Sequence, residues 1–190
     1  MAKKKQEEVI ETNEEKVEAF DSHIISRNVI AESNDANRDL YDKSRFGEPL
    51  EKNKFQYALI EALFLLEKER INVYEGKKLL NFDKFLKFCC KLDKTFWIKY
   101  CVYKDLRKRG YIVKTALKFG ADFRVYDRGV KPGDDHAKWI VYPVHETESF
   151  SWHEFAAKNR VAHSTRKSLM IAIVDEEGDV TYYNCLWTRP

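Results

Sequence analysis

The chain has 190 residues, 44% of them hydrophobic and 14% aromatic, with a formal net charge of +3. That length fits one large or two small domains, and the apolar content supports a real core rather than a disordered chain. No apolar run approaches the ~18 residues of a membrane span, and Lys3-Lys4-Lys5 leads into acidic residues instead of the apolar segment of a signal peptide.

The charge is unevenly spread. Residues up to Thr95 carry −1 and those from Phe96 onward carry +4. The stretch from Phe96 to Val174 alone carries +7, because four acids crowd into Asp175-Glu176-Glu177-Gly178-Asp179. A positive field beside a separate acidic knob suggests a polyanionic partner. The four cysteines, Cys89, Cys90, Cys101 and Cys185, form no C-x-x-C pair. They predict buried thiols in a reducing cytoplasm and no zinc site.

In chain order, residues 1–20 read as a charged N-terminal tail, frayed or briefly helical. His23 to Ile30 reads as a strand, and Arg38 to Leu50, with Gly47 and Pro49, as a second strand and turn. Asn53 with Gln56 predicts a capping box for a helix from Phe55 to Glu69, with Tyr57, Ile60, Leu63, Phe64 and Leu66 at helical spacing. Ile71 to Tyr74 predicts a short strand. Asn81 caps a helix through Phe82, Phe85, Leu86, Cys89 and Leu92. Residues 21–94 thus form a small α+β unit without visible chemistry.

The second unit, residues 95–190, opens with a helix from about Thr95 to Arg109, stopped by Gly110. Its aromatic face (Phe96, Trp97, Tyr100, Tyr103) reads as core. Strands follow at Tyr111 to Lys118, Phe123 to Tyr126 and Ala137 to Val144. Ser151 with Glu154 forms a capping box for a helix through Val161. Leu169 to Val174 is an apolar strand, and Val180 to Trp187 returns from it after the acidic glycine turn. The order is β-β-β-α-β-β behind a leading helix, with a mixed sheet.

Chemistry-bearing residues concentrate in this second unit. His136 follows Gly133-Asp134-Asp135, where a lone loop histidine is ordinarily just solvated. Its ordinary pKa near 6.5 nevertheless suits proton donation at neutral pH. Tyr126 ends a strand, where a tyrosine is usually packing; as a base it would need nearby cations to lower a pKa of about 10. Arg124 and Arg128 flank it. Lys167, at the start of a hydrophobic strand, is either a solvated charge or a cation for an anionic transition state. Together they supply a base, an acid and a cation, a set suited to cleaving RNA through its own 2′-hydroxyl. Two-metal chemistry needs clustered carboxylates, and neither Thr165-Arg166-Lys167 nor His136-Ala137-Lys138 contains the acid of an acid-x-Lys strand.

At these residues the chain resembles the archaeal tRNA-intron splicing endonuclease family, and specifically its catalytic subunit. The resemblance rests on "GADFRVYDRG", "HAKWIVYPV", "SWHEFAAKNRVAHSTRKSLMIAIVD" and "YYNCLWTRP". It covers about Phe96 to Pro190 strongly and the earlier half more weakly. It implies an α+β protein: a small α+β N-terminal domain followed by a restriction-endonuclease-like α/β catalytic domain. It implies Tyr126 as general base, His136 as general acid and Lys167 as the transition-state cation, with no metal and no cofactor. By motif, Arg160 and Arg189 match two RNA-binding arginines that sandwich a bulged base. The knob of Asp175, Glu176, Glu177 and Asp179 matches a loop that docks into a basic cleft of another subunit. Bland alternatives stand beside these: a solvated helix charge, a loose tail and a hairpin turn. Tyr182, Tyr183, Leu186 and Trp187 belong to a subunit interface or to a core strand.

The implied activity is cleavage of precursor tRNA at bulge–helix–bulge junctions, giving a 2′,3′-cyclic phosphate and a 5′-hydroxyl. A chain of this length holds one repeat of the domain pair, which points to a homotetramer, with a heterotetramer as the alternative. A cytoplasmic location and no membrane partner follow from the composition. Two other readings remain: a noncatalytic structural or RNA-binding subunit, and a metal-dependent DNA nuclease. The filled triad speaks against the first and the missing acid pair against the second.

Overall fold

The computed structural model describes residues 19–116, 120–133 and 135–188. Nearly all of the charged N-terminal segment therefore lies outside the described residues, as do Asp134 and Arg189. The elements form two sheets. The first has six strands, in the order Glu48–Leu50, Lys54–Ala58, Asn28–Glu32, Phe20–Ile25, Ile71–Glu75 and Lys78–Leu80, and the second has five, in the order Val180–Cys185, Ser168–Val174, Trp139–His145, Phe123–Tyr126 and Ile112–Thr115.

The first sheet departs from the sequence reading in three places. What reads as one strand from His23 is a hairpin, β1 (Phe20–Ile25) and β2 (Asn28–Glu32), turned at Ser26 with φ of 58°. Where Arg38 to Leu50 suggests a strand and turn, a helix α1 (Asp35–Ser44) comes first and only β3 (Glu48–Leu50) is extended. The cause is a reciprocal cap: Asn34 and Asn37 each bond the other's backbone N–H, at 2.8 and 2.9 Å. The capping box expected at Asn53 does not form. Lys52 and Asn53 take φ near 60° to turn the chain, and β4 (Lys54–Ala58) runs extended with Phe55 and Tyr57 buried alternately. Helix α2 (Leu59–Glu67) starts only after it, with the Glu61 carboxylate accepting the Ala58 N–H. β5 (Ile71–Glu75) lies parallel to β1, and β6 (Lys78–Leu80) returns beside it. Helix α3 (Phe82–Leu92) begins at Asn81, whose side chain accepts the Lys84 N–H at 3.1 Å.

Helix α4 (Phe96–Lys108) joins the two sheets and ends where Gly110, at φ of 85°, lets the chain turn. Phe96, Tyr100 and Tyr103 are buried, as their spacing predicts, whereas Trp97 is exposed. Phe64 of α2, Tyr103 of α4 and Phe123 of the second sheet form an aromatic chain with centroids 5.8 and 5.9 Å apart. One core therefore runs from the first sheet through α4 to the second. Cys89 lies within it, its thiol pushed up to about 12 by burial and then by the neighbouring Cys90. A thiol so rarely ionised is a poor nucleophile.

The second sheet is a mixed one. β7 (Ile112–Thr115), β8 (Phe123–Tyr126) and β9 (Trp139–His145) pair antiparallel in turn. Helix α5 (Trp152–Ser164) then crosses over so that β10 (Ser168–Val174) lies parallel to β9, and β11 (Val180–Cys185) returns antiparallel at the edge. The Ser151–Glu154 capping box that starts α5 forms as the sequence predicts. Ile140, Tyr142, Leu169 and Ile171 pack with Phe155 and Val161 of α5, while Val141, Ala172 and Val174 belong to the core that holds α4. Alternate residues thus face opposite helices, and the central strands are buried on both sides. No helix among the described residues is long and apolar enough to cross a membrane.

Candidate active site

Strand direction brings the three residues of the proposed triad to one end of this sheet. β8 runs antiparallel to β9, so its last residue, Tyr126, lies where β9 begins. β9 and β10 are parallel, with Trp139 opposite Ser168. Their leading segments, carrying His136 and Lys167, therefore approach that same end. Two backbone bonds fasten the junction: Lys138 N–H to Val125 O at 2.9 Å, and Ser168 N–H to Lys138 O at 3.0 Å.

A cleft of about 650 Å³ opens there. Asp127 and Val130 line it from the loop after β8, Asp135, His136 and Lys138 from the segment before β9, and His163, Arg166 and Lys167 from the end of α5. His136 and Arg166 are exposed and Lys167 is half-buried. Tyr126 is not among the lining residues. It is 5% exposed and packs with Ile112, Ala137 and Val130, of which the last two form cleft wall. Its hydroxyl makes no hydrogen bond among the described residues and is not one of their sealed, partnerless polar atoms.

Local chemistry explains how Lys167 is presented. α5 ends in a Schellman turn: the Arg166 N–H bonds His163 O at 3.0 Å and the Lys167 N–H bonds Ala162 O at 2.9 Å. Arg166 takes the left-handed conformation, φ 56°, that usually belongs to glycine. The Lys167 ammonium donates to Thr165 O at 2.8 Å, at the helix end where the dipole favours a cation. Across the cleft, Asp127 and Lys138 form an exposed ion pair at 2.5 Å. The Lys138 ammonium, and then the Arg128 N–H, hold the Asp127 carboxyl below the usual carboxylate range. The Asp135 carboxylate accepts the His136 N–H at 2.6 Å and so braces the backbone at the histidine. Of the arginines flanking Tyr126 in sequence, Arg128 lies over the Tyr111 ring at 5.1 Å.

Arg160 does not enter this cleft. It lines a neighbouring one of about 480 Å³ with Phe155, Leu186 and Trp187. His163 belongs to both walls, and its ring centroid lies 4.2 Å from that of Trp187. Arg189, the second expected RNA-binding arginine, is outside the described residues. Nothing in the sequence spacing singles out His163 or Arg166. The available signal is their position, four and one residues before Lys167, in the last turn of α5 and in the cap that follows it.

The acidic knob is the turn between β10 and β11. Asp175 holds it, its carboxylate accepting the N–H groups of Glu177 and Asp179 at 3.0 and 2.9 Å. Glu176, Glu177 and Asp179 are exposed. Gly178, at φ 87°, packs toward the Cys101 sulfur. Tyr182 points inward and donates to Asp105 at 2.8 Å, whereas Tyr183, Leu186 and Trp187 are exposed.

Comparison with known proteins converges on one family. A family model described as the tRNA intron endonuclease N-terminal domain matches residues 21–86, and one described as its catalytic C-terminal domain matches residues 96–182. The tRNA-splicing endonuclease of Nanoarchaeum equitans is 46% identical over 151 residues, covering 76% of this chain and 97% of the relative. Those of Thermococcus onnurineus and Pyrococcus furiosus are 47% and 44% identical over 150 and 161 residues, covering 79% and 85% of this chain and 85% and 92% of theirs. Nearly all of both sheets, and the cleft between β8, β9 and α5, fall within the two family matches, and the chain belongs to the tRNA intron endonuclease family.

Proposed function

We propose that this chain is the catalytic subunit of a tRNA-intron lyase that cuts precursor tRNA at bulge–helix–bulge junctions, without metal or cofactor. Tyr126 takes the proton of a 2′-hydroxyl, and the 2′-oxygen attacks the adjacent phosphorus. The bond to the 5′-oxygen breaks, and His136 supplies that oxygen with a proton. Lys167 stabilises the extra negative charge of the phosphorane. The products are a 2′,3′-cyclic phosphate and a 5′-hydroxyl. An unpaired nucleotide suits this route, because it can rotate its 2′-oxygen into line with the leaving oxygen and A-form stacking resists that rotation. The observation that supports the reading is one cleft lined by His136 and Lys167, with Tyr126 packed against two of its wall residues, Val130 and Ala137.

Tyr126→Phe isolates the hydroxyl from the packing. The ring keeps its contacts with Ile112 and Ala137, so the melting temperature should stay within about 2 °C while cleavage falls roughly 10²-fold or more. Single-turnover cleavage and thermal melting check this, and full activity in the phenylalanine variant rules out the base.

The working form on this reading is a cytoplasmic homotetramer. Arg160, and Arg189 beyond the described residues, hold an unpaired base by cation–π contact. The exposed Glu176, Glu177 and Asp179 dock into another copy. A cleft of about 240 Å³ flanked by Lys43, Arg107 and Lys131 offers a basic acceptor. Reversing Glu176 and Glu177 to lysine should weaken assembly roughly 100-fold by setting like charges together. Light scattering reads the mass, and an unchanged tetramer discards the docking role. Domain limits near residues 20 and 94 complete the proposal.

A further inference from the structure

The triad leaves one strongly charged group of the cleft unused. Arg166 sits between the helix that presents Lys167 and the strand that follows, and its exposed side chain lines the cleft. Its guanidinium has no hydrogen bond, ion pair or ring partner among the described residues. Three other arginines near the second sheet are committed: Arg107 to Ser44 O and the Phe46 ring, Arg109 to Asp105, Arg128 to the Tyr111 ring. The cleft's Lys138 is neutralised by Asp127.

The backbone adds a second observation. Six described non-glycine residues have positive φ, and Arg166 is the one that lines this cleft. A Schellman turn is most easily made with glycine, since a side chain in the left-handed region is crowded against its own backbone. An arginine here costs stability, and such costs gather at functional sites. A cation at a helix C-terminus also has a purely structural use in offsetting the dipole. Lys167 and the adjacent His163 already occupy that position.

We propose that Arg166 binds the RNA backbone as a second clamp beside Lys167, gripping the phosphate that flanks the scissile one. The inference rests on the cleft being the cleavage site. A planar guanidinium can hold two phosphate oxygens at once, whereas an ammonium acts as a point charge. One cation then addresses the reacting phosphate and the next fixes the strand's register, so that the 2′-oxygen meets the correct phosphorus. The residue contributes to binding and not to the charge or proton changes of the reaction.

The test uses a bulge–helix–bulge RNA with a 2′-deoxy substitution at each cleavage position, which binds but cannot react. Arg166→Gln removes the charge and keeps the backbone conformation; Arg166→Gly also relieves the left-handed residue. Both should raise the Kd about tenfold and lower the slope of log Kd against log salt by about 0.7–1, the loss of one phosphate contact. Arg166→Lys should recover part of the affinity. Melting temperature should hold for glutamine and hold or rise by about 2–4 °C for glycine. Unchanged Kd and salt slope in both variants, with Lys167→Ala inactive on the cleavable RNA, overturn the clamp and leave the cleft reading standing. A fall in melting temperature with unchanged Kd makes Arg166 a structural cation and also overturns it. Full cleavage by Lys167→Ala overturns the cleft reading and the clamp together.

Discussion

Cleavage by the His136→Ala variant is expected to be 10²–10⁴-fold slower than by the native chain, in buffer containing EDTA, with the melting temperature unchanged. His136 is exposed on the lip of the cleft, so removing its ring leaves no cavity. Its backbone N–H is bonded to Asp135 and survives the change. The loss then isolates the proton delivered to the departing 5′-oxygen. A leaving alkoxide is a poor one, so the step suffers strongly without its acid. The reading requires that the native chain cut equally well with and without chelator. It also requires cyclic phosphate at the new 3′ end. A 5′-phosphate product, loss of native cleavage in EDTA or undiminished cutting by the alanine variant would each exclude the mechanism. A 5′-leaving group that needs no proton would restore the variant: replacing the bridging 5′-oxygen by sulfur should bring it to within about tenfold of the native rate, since a thiolate leaves unprotonated.

The second large effect concerns stability. Lys114 lies in β7, within the catalytic sheet, and is 5% exposed. Its ammonium bonds Gly47 O at 2.9 Å, Glu61 of α2 at 3.1 Å and Glu48 at 3.0 Å. Glu61 is equally buried, so this ion pair ties the two domains in a nearly dry setting. Lys114→Met is expected to destabilise the fold by about 3–5 kcal/mol, because it leaves the Glu61 carboxylate without its cation. For a chain of this size that lowers the melting temperature by about 6–20 °C. The double variant Lys114→Met/Glu61→Gln should recover most of the loss. Glutamine keeps an oxygen for the Ala58 N–H that Glu61 now accepts. Additive losses in the double variant would show that the pair does not couple the domains.

Much of the catalytic half was legible along the chain. The Ser151–Glu154 box and the apolar period of α4 are local signals, and local signals survive folding. Strands β8, β9 and β10 carry enough apolar residues, bounded by turn residues, to be read directly. The first sheet was harder. Tyr57, Ile60, Leu63 and Phe64 share helical spacing, yet the first of them lies in a strand. Pairing of β4 with β2 and β3 decided that, through partners distant in sequence. Similarly, the turn at Ser26 has no glycine to announce it, and the asparagine pair that caps α1 departs from the usual Ser/Thr-x-x-Glu/Gln box.

The sequence by itself determined the residue types available to the proposed site. Tyr126, His136 and Lys167 supply a base, an acid and a cation whatever the fold, because those capacities belong to the side chains. Sequence also carried the family resemblance, since the motifs are contiguous. What only the tertiary structure decided is which of these groups meet. The parallel pairing of β9 and β10, set by the α5 crossover, brings residues 31 positions apart to one cleft. It seats Arg160 in the neighbouring cleft, and it gives Arg166 and His163 places that spacing does not suggest. The Lys114–Glu61 pair, 53 residues apart, was equally hidden. Electrostatic partners in a buried site are chosen by distance and exclusion of water, and neither is written along the chain.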